Sequence, residues 1–156
     1  DIVAHCKEHK ATCYKLTSPE SETRISLADR YCVIANGLRL NGQYDDALVE
    51  AYKALVIYKE FLGENDLRTA GCYQFSGQAL CDKGLHEEAL FELRKSLAIR
   101  RELRGENHQH TADIYETIGN VLVLQGRSDD ALIGHGKALA IRIKLSGGDK
   151  HPETAK

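Results

Sequence analysis

The amino-acid sequence repeats itself at an interval of 42 residues. Three segments align in register at that interval: GQYDDAL at 42–48, GLHEEAL at 84–90 and GRSDDAL at 126–132. A second set follows in the same register: KALVIYKEFLGEN at 53–65, KSLAIRRELRGEN at 95–107 and KALAIRIKLSGGD at 137–149. A unit of this size cannot bury its apolar stripes alone, so stability must come from neighbouring units that stack on one another.

Each unit carries the pattern of two helices joined by a tight turn. Apolar spacing predicts a helix A over about 26–40, 68–82 and 110–124, and a helix B over about 44–61, 86–103 and 128–145. Glycines follow both helices where a left-handed residue commonly closes a helix. They are Gly42, Gly84 and Gly126 after helix A, and Gly63, Gly105 and Gly147 after helix B. With two prolines in 156 residues, the sequence predicts an all-α fold of at least seven helices.

The triplet His86, Glu87 and Glu88 resembles an acid/base or metal constellation. The equivalent places of His86 hold Tyr44 and Ser128, whereas a pair of acids persists in every unit. Those pairs are Asp45 and Asp46, Glu87 and Glu88, and Asp129 and Asp130. Carboxylates in a first helical turn face unpaired N–H groups and the positive end of the dipole, which contributes about 0.3–1 kcal/mol each. The triplet therefore predicts the start of a helix, and we expect no enzyme activity.

Composition narrows the classes of function and partner that remain. The formal net charge of −2 gives no electrostatic case for nucleic acid or an anionic membrane, and no apolar run has the length of a bilayer span. Five cysteines at irregular spacing argue against a disulfide framework and favour a reducing compartment, so we expect a cytoplasmic protein. No phosphate-binding loop or other cofactor motif is present, and we expect no cofactor.

Small and large residues recur at fixed places in the units. Helix A carries Ala35, Gly77 and Gly119, with Tyr31, Tyr73 and Tyr115 and Leu38, Leu80 and Leu122; helix B carries Ala47, Ala89 and Ala131. With G-x-Y/L-x-x-A-L at the turn, this pattern resembles the tetratricopeptide repeat (TPR). The 42-residue period and the LGEN…TA junction are similar to the longer repeat of kinesin light chains and nephrocystin-like proteins. The resemblance implies a right-handed α-solenoid with A helices on the concave face and B helices on the convex face.

The register divides residues 1–156 into a single array. We expect a partial repeat with helix B only at 1–20, full repeats at 21–62, 63–104 and 105–147, and the start of a further repeat at 148–156. On this interpretation the chain is a fragment of a longer protein, and self-association through the cut ends is an additional expectation.

A second stripe of helix A faces away from the packing stripe formed by Tyr31, Ile34, Ala35 and Leu38. The resemblance places this second stripe on the concave surface and implies that it binds a peptide. Its residues are Asp29, Cys32, Asn36, Arg39, Gln74, Gln78, Cys81, Asp113, Glu116, Asn120 and Val123. Among them Asn36, Gln78 and Asn120 form a ladder of amides, which can pair with a peptide backbone of any sequence. A protein or peptide partner, held by an adaptor or scaffold, is the leading interpretation; the alternative is a regulatory sensor or oligomerisation array within a larger signalling protein.

Two groups of possible metal ligands have simpler interpretations. Cys6, His9 and Cys13 share one helical face, but the register matches both cysteines to core leucines and supplies no fourth ligand. His108 and His110 lie in a junction between units, where we expect solvated side chains. The sequence therefore predicts no metal site.

Overall fold

The structure is a computed structural model that describes residues 18–147 and folds them into six helices without a strand. The helices are α1 (Pro19–Leu40), α2 (Tyr44–Phe61), α3 (Leu67–Asp82), α4 (His86–Arg104), α5 (Gln109–Leu124) and α6 (Ser128–Gly147). The all-α fold class and the alternation of A helices (α1, α3, α5) with B helices (α2, α4, α6) are confirmed. The helix expected over 1–16, and with it Cys6, His9 and Cys13, lies outside the described residues, as does the start of a further repeat.

The helices pack in chain order. Each A helix contacts the B helix of its own unit most extensively, and each B helix then packs against the next A helix. Successive A helices also touch directly, whereas successive B helices scarcely meet. A stack whose A helices approach more closely than its B helices curves toward the A side.

Helix α1 begins earlier than the repeat predicts. We expected it to start near residue 26, but its first residue is Pro19 and its N-cap is Ser18, whose side chain accepts a hydrogen bond from the Ser21 N–H at 3.2 Å. Ser at the N-cap followed by Pro at the first helical position is a known helix-start signal. That local signal extends α1 beyond the length that the internal repeat implies.

The A helices end in the same hydrogen-bonded turn. After α3, Gly84 has φ of 90°; its N–H donates to the Cys81 carbonyl at 2.9 Å, and the Leu85 N–H donates to the Leu80 carbonyl at 2.8 Å. This pair of hydrogen bonds requires a residue with left-handed backbone conformation, which explains the glycine at this position in every unit. The predicted helix-closing glycines are confirmed at Gly42, Gly84, Gly126, Gly63 and Gly105. The prediction for Gly147 is wrong, because this glycine is the last residue of α6 and has no positive φ.

Within each unit the two helices cross at a small residue. A Cβ built on Gly77 would lie 2.7 Å from Leu93 Cγ and 3.1 Å from the Ala89 carbonyl oxygen. In the third unit a Cβ on Gly119 would lie 2.8 Å from Cε1 of His135. Glycine therefore provides the volume that the side chain of helix B fills.

The repeated G-E-N…T-A…Y motif is the junction between units. Thr69 Oγ1 donates to the Gly63 carbonyl at 2.9 Å, and the Tyr73 hydroxyl donates to Glu64 at 2.5 Å. Burial and this carboxylate raise the pKa of Tyr73 to about 12. Lys95 lies 4.9 Å above the Tyr73 ring, within cation–π range. The next junction repeats these contacts with Thr111 and Gly105, Tyr115 and Glu106, and Lys137 over Tyr115.

The acid pairs lie in the first turns of the B helices, as predicted. Helix α4 begins at His86 with Glu87 and Glu88 in its first turn. Glu87 has an additional contact, because it accepts a hydrogen bond at 2.7 Å from Gln125, at the end of the next A helix. Lys83 binds Asp45 in the same way one unit earlier. The acids thus stabilise helix starts and also join neighbouring turns.

The packing stripe of the first unit is only partly buried. Ala35 is fully buried, whereas Ile34 is 48% exposed. The equivalent Ser76 and Ile118 are buried, because the helices of a preceding described unit pack beside them.

Replacement of Gly77 by Ala tests the crossing. We expect Gly77→Ala to lower the free energy of unfolding by about 1–3 kcal/mol, because the new methyl group overlaps Leu93 Cγ. Gly37→Ala is the matched control: no heavy atom lies within 4 Å of its Cβ position, and the equivalent residue of the second unit is Ala79. The control should be stabilised by up to about 1 kcal/mol. Equal shifts in urea unfolding for both variants would contradict this account.

A second prediction concerns the start of α5. The N-cap is His108, whose Nδ1 accepts a hydrogen bond from the His110 N–H at 3.2 Å; the second unit has Asp66 there. Burial, then the neighbouring His110, lower the pKa of His108, so the folded state favours the neutral ring that can accept. The stabilisation is present above the unfolded pKa and is lost as pH falls through the lowered pKa. In thermal unfolding from pH 7.5 to 5, His108→Asp should lose less stability than the parent chain, with a difference of about 1 kcal/mol or less. Identical pH profiles would contradict the cap.

Candidate interaction groove

The second stripe of the A helices is accessible along the stack. All eleven predicted binding residues are at least partly exposed; Asp29, Asn36, Asn120 and Val123 are exposed and the other seven are half-buried. Their accessibility agrees with a surface role, and nine of them fall into three groups by their contacts, with Asn36 and Val123 in none of the groups.

One group shares a cavity. Arg39 from α1, Gln78 and Cys81 from α3, and Asn120 from α5 line a cavity of about 260 Å³. Asp82, Thr117 and Val121 complete its wall. We call this cavity the A-helix groove. It brings together four of the eleven predicted residues, and these four come from three successive A helices.

Arg39 is held in place at one end of the groove. Its Nη1 donates to Asp82 Oδ2 at 2.7 Å, and its guanidinium lies 5.8 Å from the centre of the Phe75 ring. This pair leaves the groove without a large excess of either charge. Within residues 18–147, the side chains of Asn36, Gln78 and Asn120 make no hydrogen bond. The ladder amides therefore keep both donors and acceptors available.

The second group is bound by helix B. Arg142 donates to Asp113 at 3.1 Å and to Glu116 at 2.6 Å. Glu116, then Asp113, raise the pKa of Arg142 further. One unit earlier, Arg100 donates to Gln74 at 3.1 Å. These stripe residues are thus partly occupied by contacts within their own unit.

Sequence reasoning missed these partners from helix B. Tyr58, Arg100 and Arg142 stand at one repeat-equivalent position and face the equivalent stripe residues of helix A. The 42-residue register places these three residues at one position of the repeat. A comparison of residue types does not reveal that position, because it holds Tyr in the first unit and Arg in the next two.

The third group surrounds a pair of thiols. Cys32 lies 3.9 Å from Cys72 between the sulfur atoms and 3.8 Å from the Tyr58 hydroxyl, which donates to Asp29 at 2.6 Å. A second cavity, of about 310 Å³, is lined by Cys32, Ala51, Tyr58, Arg68, Gly71, Cys72 and Phe75. Cys32 and Asp29 therefore lie apart from the A-helix groove, and Val123 does not line it either.

The described residues contain no cluster of three or more His, Cys, Asp or Glu side chains arranged to hold a metal ion. His108 is not merely solvated as expected, because it caps α5, and its ring lies 5.3 Å from that of His110. From residue 18 to residue 147, no helix has both the length and the apolar character needed to cross a bilayer.

Comparisons with solved structures agree with the architecture. The crystal structure of BtubC (BKLC) from P. vanneervenii is similar with a TM-score of 0.71 and 23% identity, over 83% of this chain and 49% of that one. The crystal structure of MamA is similar with a TM-score of 0.61 and 18% identity, over 79% of this chain and 63% of that one. This chain thus spans about half of the first protein and less than two thirds of the second. No curated protein matches it.

These likenesses support the right-handed α-solenoid fold. A family model described as the tetratricopeptide repeat matches residues 27–102 and again 73–144. Because the two matches together run through most of the sequence, from residue 27 to residue 144, the chain belongs to the tetratricopeptide-repeat family.

Proposed function

We propose that this chain, a protein-interaction scaffold of the tetratricopeptide-repeat family, binds a peptide segment of a partner protein in the A-helix groove. The observation that carries the proposal is the meeting of Arg39, Gln78, Cys81 and Asn120 in one cavity. No chemical step is part of the proposed function. A cytoplasmic location suits it, since Cys32, Cys72 and Cys81 are all free thiols.

The groove suits a peptide in its polarity. A bound segment loses water from its backbone N–H and C=O groups, and each group left unpaired costs about 1–3 kcal/mol. Gln78 and Asn120 each provide an amide donor and an amide acceptor at the groove. Because Arg39 is paired with Asp82, recognition relies on the backbone more than on charge.

The proposed contact extends beyond one cavity because the stripe repeats. Asn36, on α1, is exposed at the place equivalent to Gln78 and Asn120. A segment that follows the three A helices would meet one amide in each unit. This arrangement favours an extended or helical segment over a compact ligand.

Self-association is the second candidate, and exposed apolar side chains favour it. On α6, Leu132 is 70% exposed and Ile133, Leu139 and Ile143 are about equally so; on α1, Val33 is 73% exposed. Such faces are covered in stacked repeats by a neighbouring unit or by another copy. A rise of the mass with concentration in light scattering, abolished by Leu132→Glu with Leu139→Glu, would favour the oligomerisation array.

Removal of the amides tests the groove. A peptide selected from a displayed random library on the immobilised chain should bind Gln78→Ala about 5- to 150-fold more weakly, which corresponds to about 1–3 kcal/mol. Asn120→Ala should weaken binding similarly, and Asn36→Ala also if the peptide spans the first unit. Gln78→Asn should be tolerated better than Gln78→Ala, since it keeps the amide and only shortens its reach. Titration calorimetry gives the affinities.

Asn107→Ala is the matched control, because this exposed amide lies in a junction between units and away from the groove. It should leave the affinity unchanged. All five variants should melt within a degree or two of the parent chain, since these side chains lie outside the core. Unchanged affinity in the three ladder variants, with folding intact, would remove the groove from the proposal.

A further inference from the structure

We propose that Cys32 and Cys72 form a hydroperoxide-responsive dithiol, in which Cys32 is oxidised first and Cys72 then closes a disulfide between helices α1 and α3. This modification site is independent of peptide binding. It follows from the geometry of the two sulfurs, from the cavity that reaches them and from the different surroundings of the two thiols.

The two sulfurs are already neighbours. They lie 3.9 Å apart, although the residues are separated by 40 positions and belong to the A helices of successive units. A disulfide needs a sulfur–sulfur distance of about 2.05 Å. The sulfurs must therefore move closer, by rotation of the two side chains together with small shifts of α1 and α3, without a change in the order of the helices.

A small oxidant has access to the pair. The cavity of about 310 Å³ beside them is lined by both cysteines and by Tyr58, Arg68 and Phe75. A water molecule occupies about 30 Å³ in the liquid, and hydrogen peroxide is not much larger. Cys32 is half-buried at the cavity, whereas Cys72 is 3% exposed, so Cys32 meets the oxidant first.

The surroundings make Cys32 the nucleophile. Hydrogen bonding, chiefly from Cys72, lowers the pKa of Cys32 to about 7, against the opposing effects of burial and of the Asp29 carboxylate. Tyr58 has one hydroxyl proton, and its 2.6 Å contact with Asp29 is the shorter one, so Cys72 remains the donor to Cys32. The same bond, together with burial, raises the pKa of Cys72. The charged groups nearby are Asp29 and Arg68, which lie 3.9 Å apart.

The chemistry balances with one hydroperoxide. The Cys32 thiolate attacks an oxygen of the peroxide, the O–O bond breaks, and the departing hydroxide or alkoxide takes a proton from water. Cys32 is then a sulfenic acid. The Cys72 sulfur attacks the Cys32 sulfur, the S–O bond breaks, and the hydroxide leaves as water with the Cys72 proton. The two sulfurs together lose two electrons to the peroxide, and an external thiol reverses the bond.

Cys81 provides a control thiol within the same chain. Burial and the neighbouring Asp82 raise its pKa, and it lies in the A-helix groove rather than beside Cys32. At pH 7 a larger fraction of Cys32 than of Cys81 is thiolate, but the less basic thiolate of Cys32 is intrinsically less reactive. The first effect is larger, so Cys32 should react with iodoacetamide at least about fivefold faster than Cys81 at pH 7.

The test treats the reduced full chain with one equivalent of hydrogen peroxide, blocks free thiols and maps tryptic peptides by mass spectrometry. We expect a linked pair of peptides, 31–39 with 69–83, and fragment ions that assign the bond to Cys72 and not Cys81. Cys6 and Cys13 fall in separate peptides, 1–7 and 11–15, and are followed in the same map. The linked chain should melt about 5–10 °C higher than the reduced chain.

Variants separate the two roles. Cys72→Ser should accumulate a dimedone-reactive sulfenic acid at Cys32, and Cys32→Ser should leave Cys72 reduced; Cys81→Ser should form the bond as the parent does. If Cys32→Ser does not fold, the parent map and Cys72→Ser still decide the question. A bond from Cys32 to another cysteine, a sulfenic acid at Cys72 alone, or a Cys32 no more reactive than Cys81 would overturn the proposal.

Discussion

The close crossing of the two helices within a unit is the contact on which the rest of the array depends. At Gly77 the backbone of α3 approaches α4 so nearly that the Leu93 side chain occupies the place of a Cβ. The first unit has buried Ala35 and buried Ala51 at the equivalent positions, and the third has Gly119 beneath His135. Where helix A has glycine, helix B fills the space with the larger Leu93 or His135, and where helix A has Ala35, helix B has the small Ala51 at the equivalent position.

Stacking then depends on a junction that uses the same few atoms each time. The Thr69 hydroxyl donates a hydrogen bond to the Gly63 carbonyl, and the Tyr73 hydroxyl donates one to Glu64. Ser96 adds a buried bond of 2.7 Å to the Ala70 carbonyl, which links helix B of the second unit to its helix A. These bonds satisfy polar groups at buried helix ends, where an unpaired group would be costly. Apolar packing supplies the energy of the stack, and the junction restricts how the units are offset.

Internal periodicity predicts the structural features that all units share, and it does not predict features that occur in one unit only. Five of six glycine turns and the buried small residues could be predicted because each unit needs the same backbone there. The start of α1 at Pro19 depends on a local cap, and the inclusion of Gly147 in α6 has no counterpart in the other units. The contact between Cys32 and Cys72 could not be predicted by aligning the repeats, since the two residues occupy different positions of their repeats. Only the offset between stacked A helices brings them together.

The surface charge along the second stripe is determined by both helices of each unit and not by the A helices alone. Read from the stripe alone, Asp29, Asp113 and Glu116 outweigh Arg39. Helix B changes this balance, because Arg142 pairs with Asp113 and Glu116 and offsets one of their two negative charges, and Arg100 adds a cation beside the uncharged Gln74. Where the stripe carries the thiol of Cys32, helix B supplies the neutral Tyr58. In each unit the residue on helix B thus donates a hydrogen bond to the stripe of helix A, which leaves the unpaired amides as the groups most available to another chain.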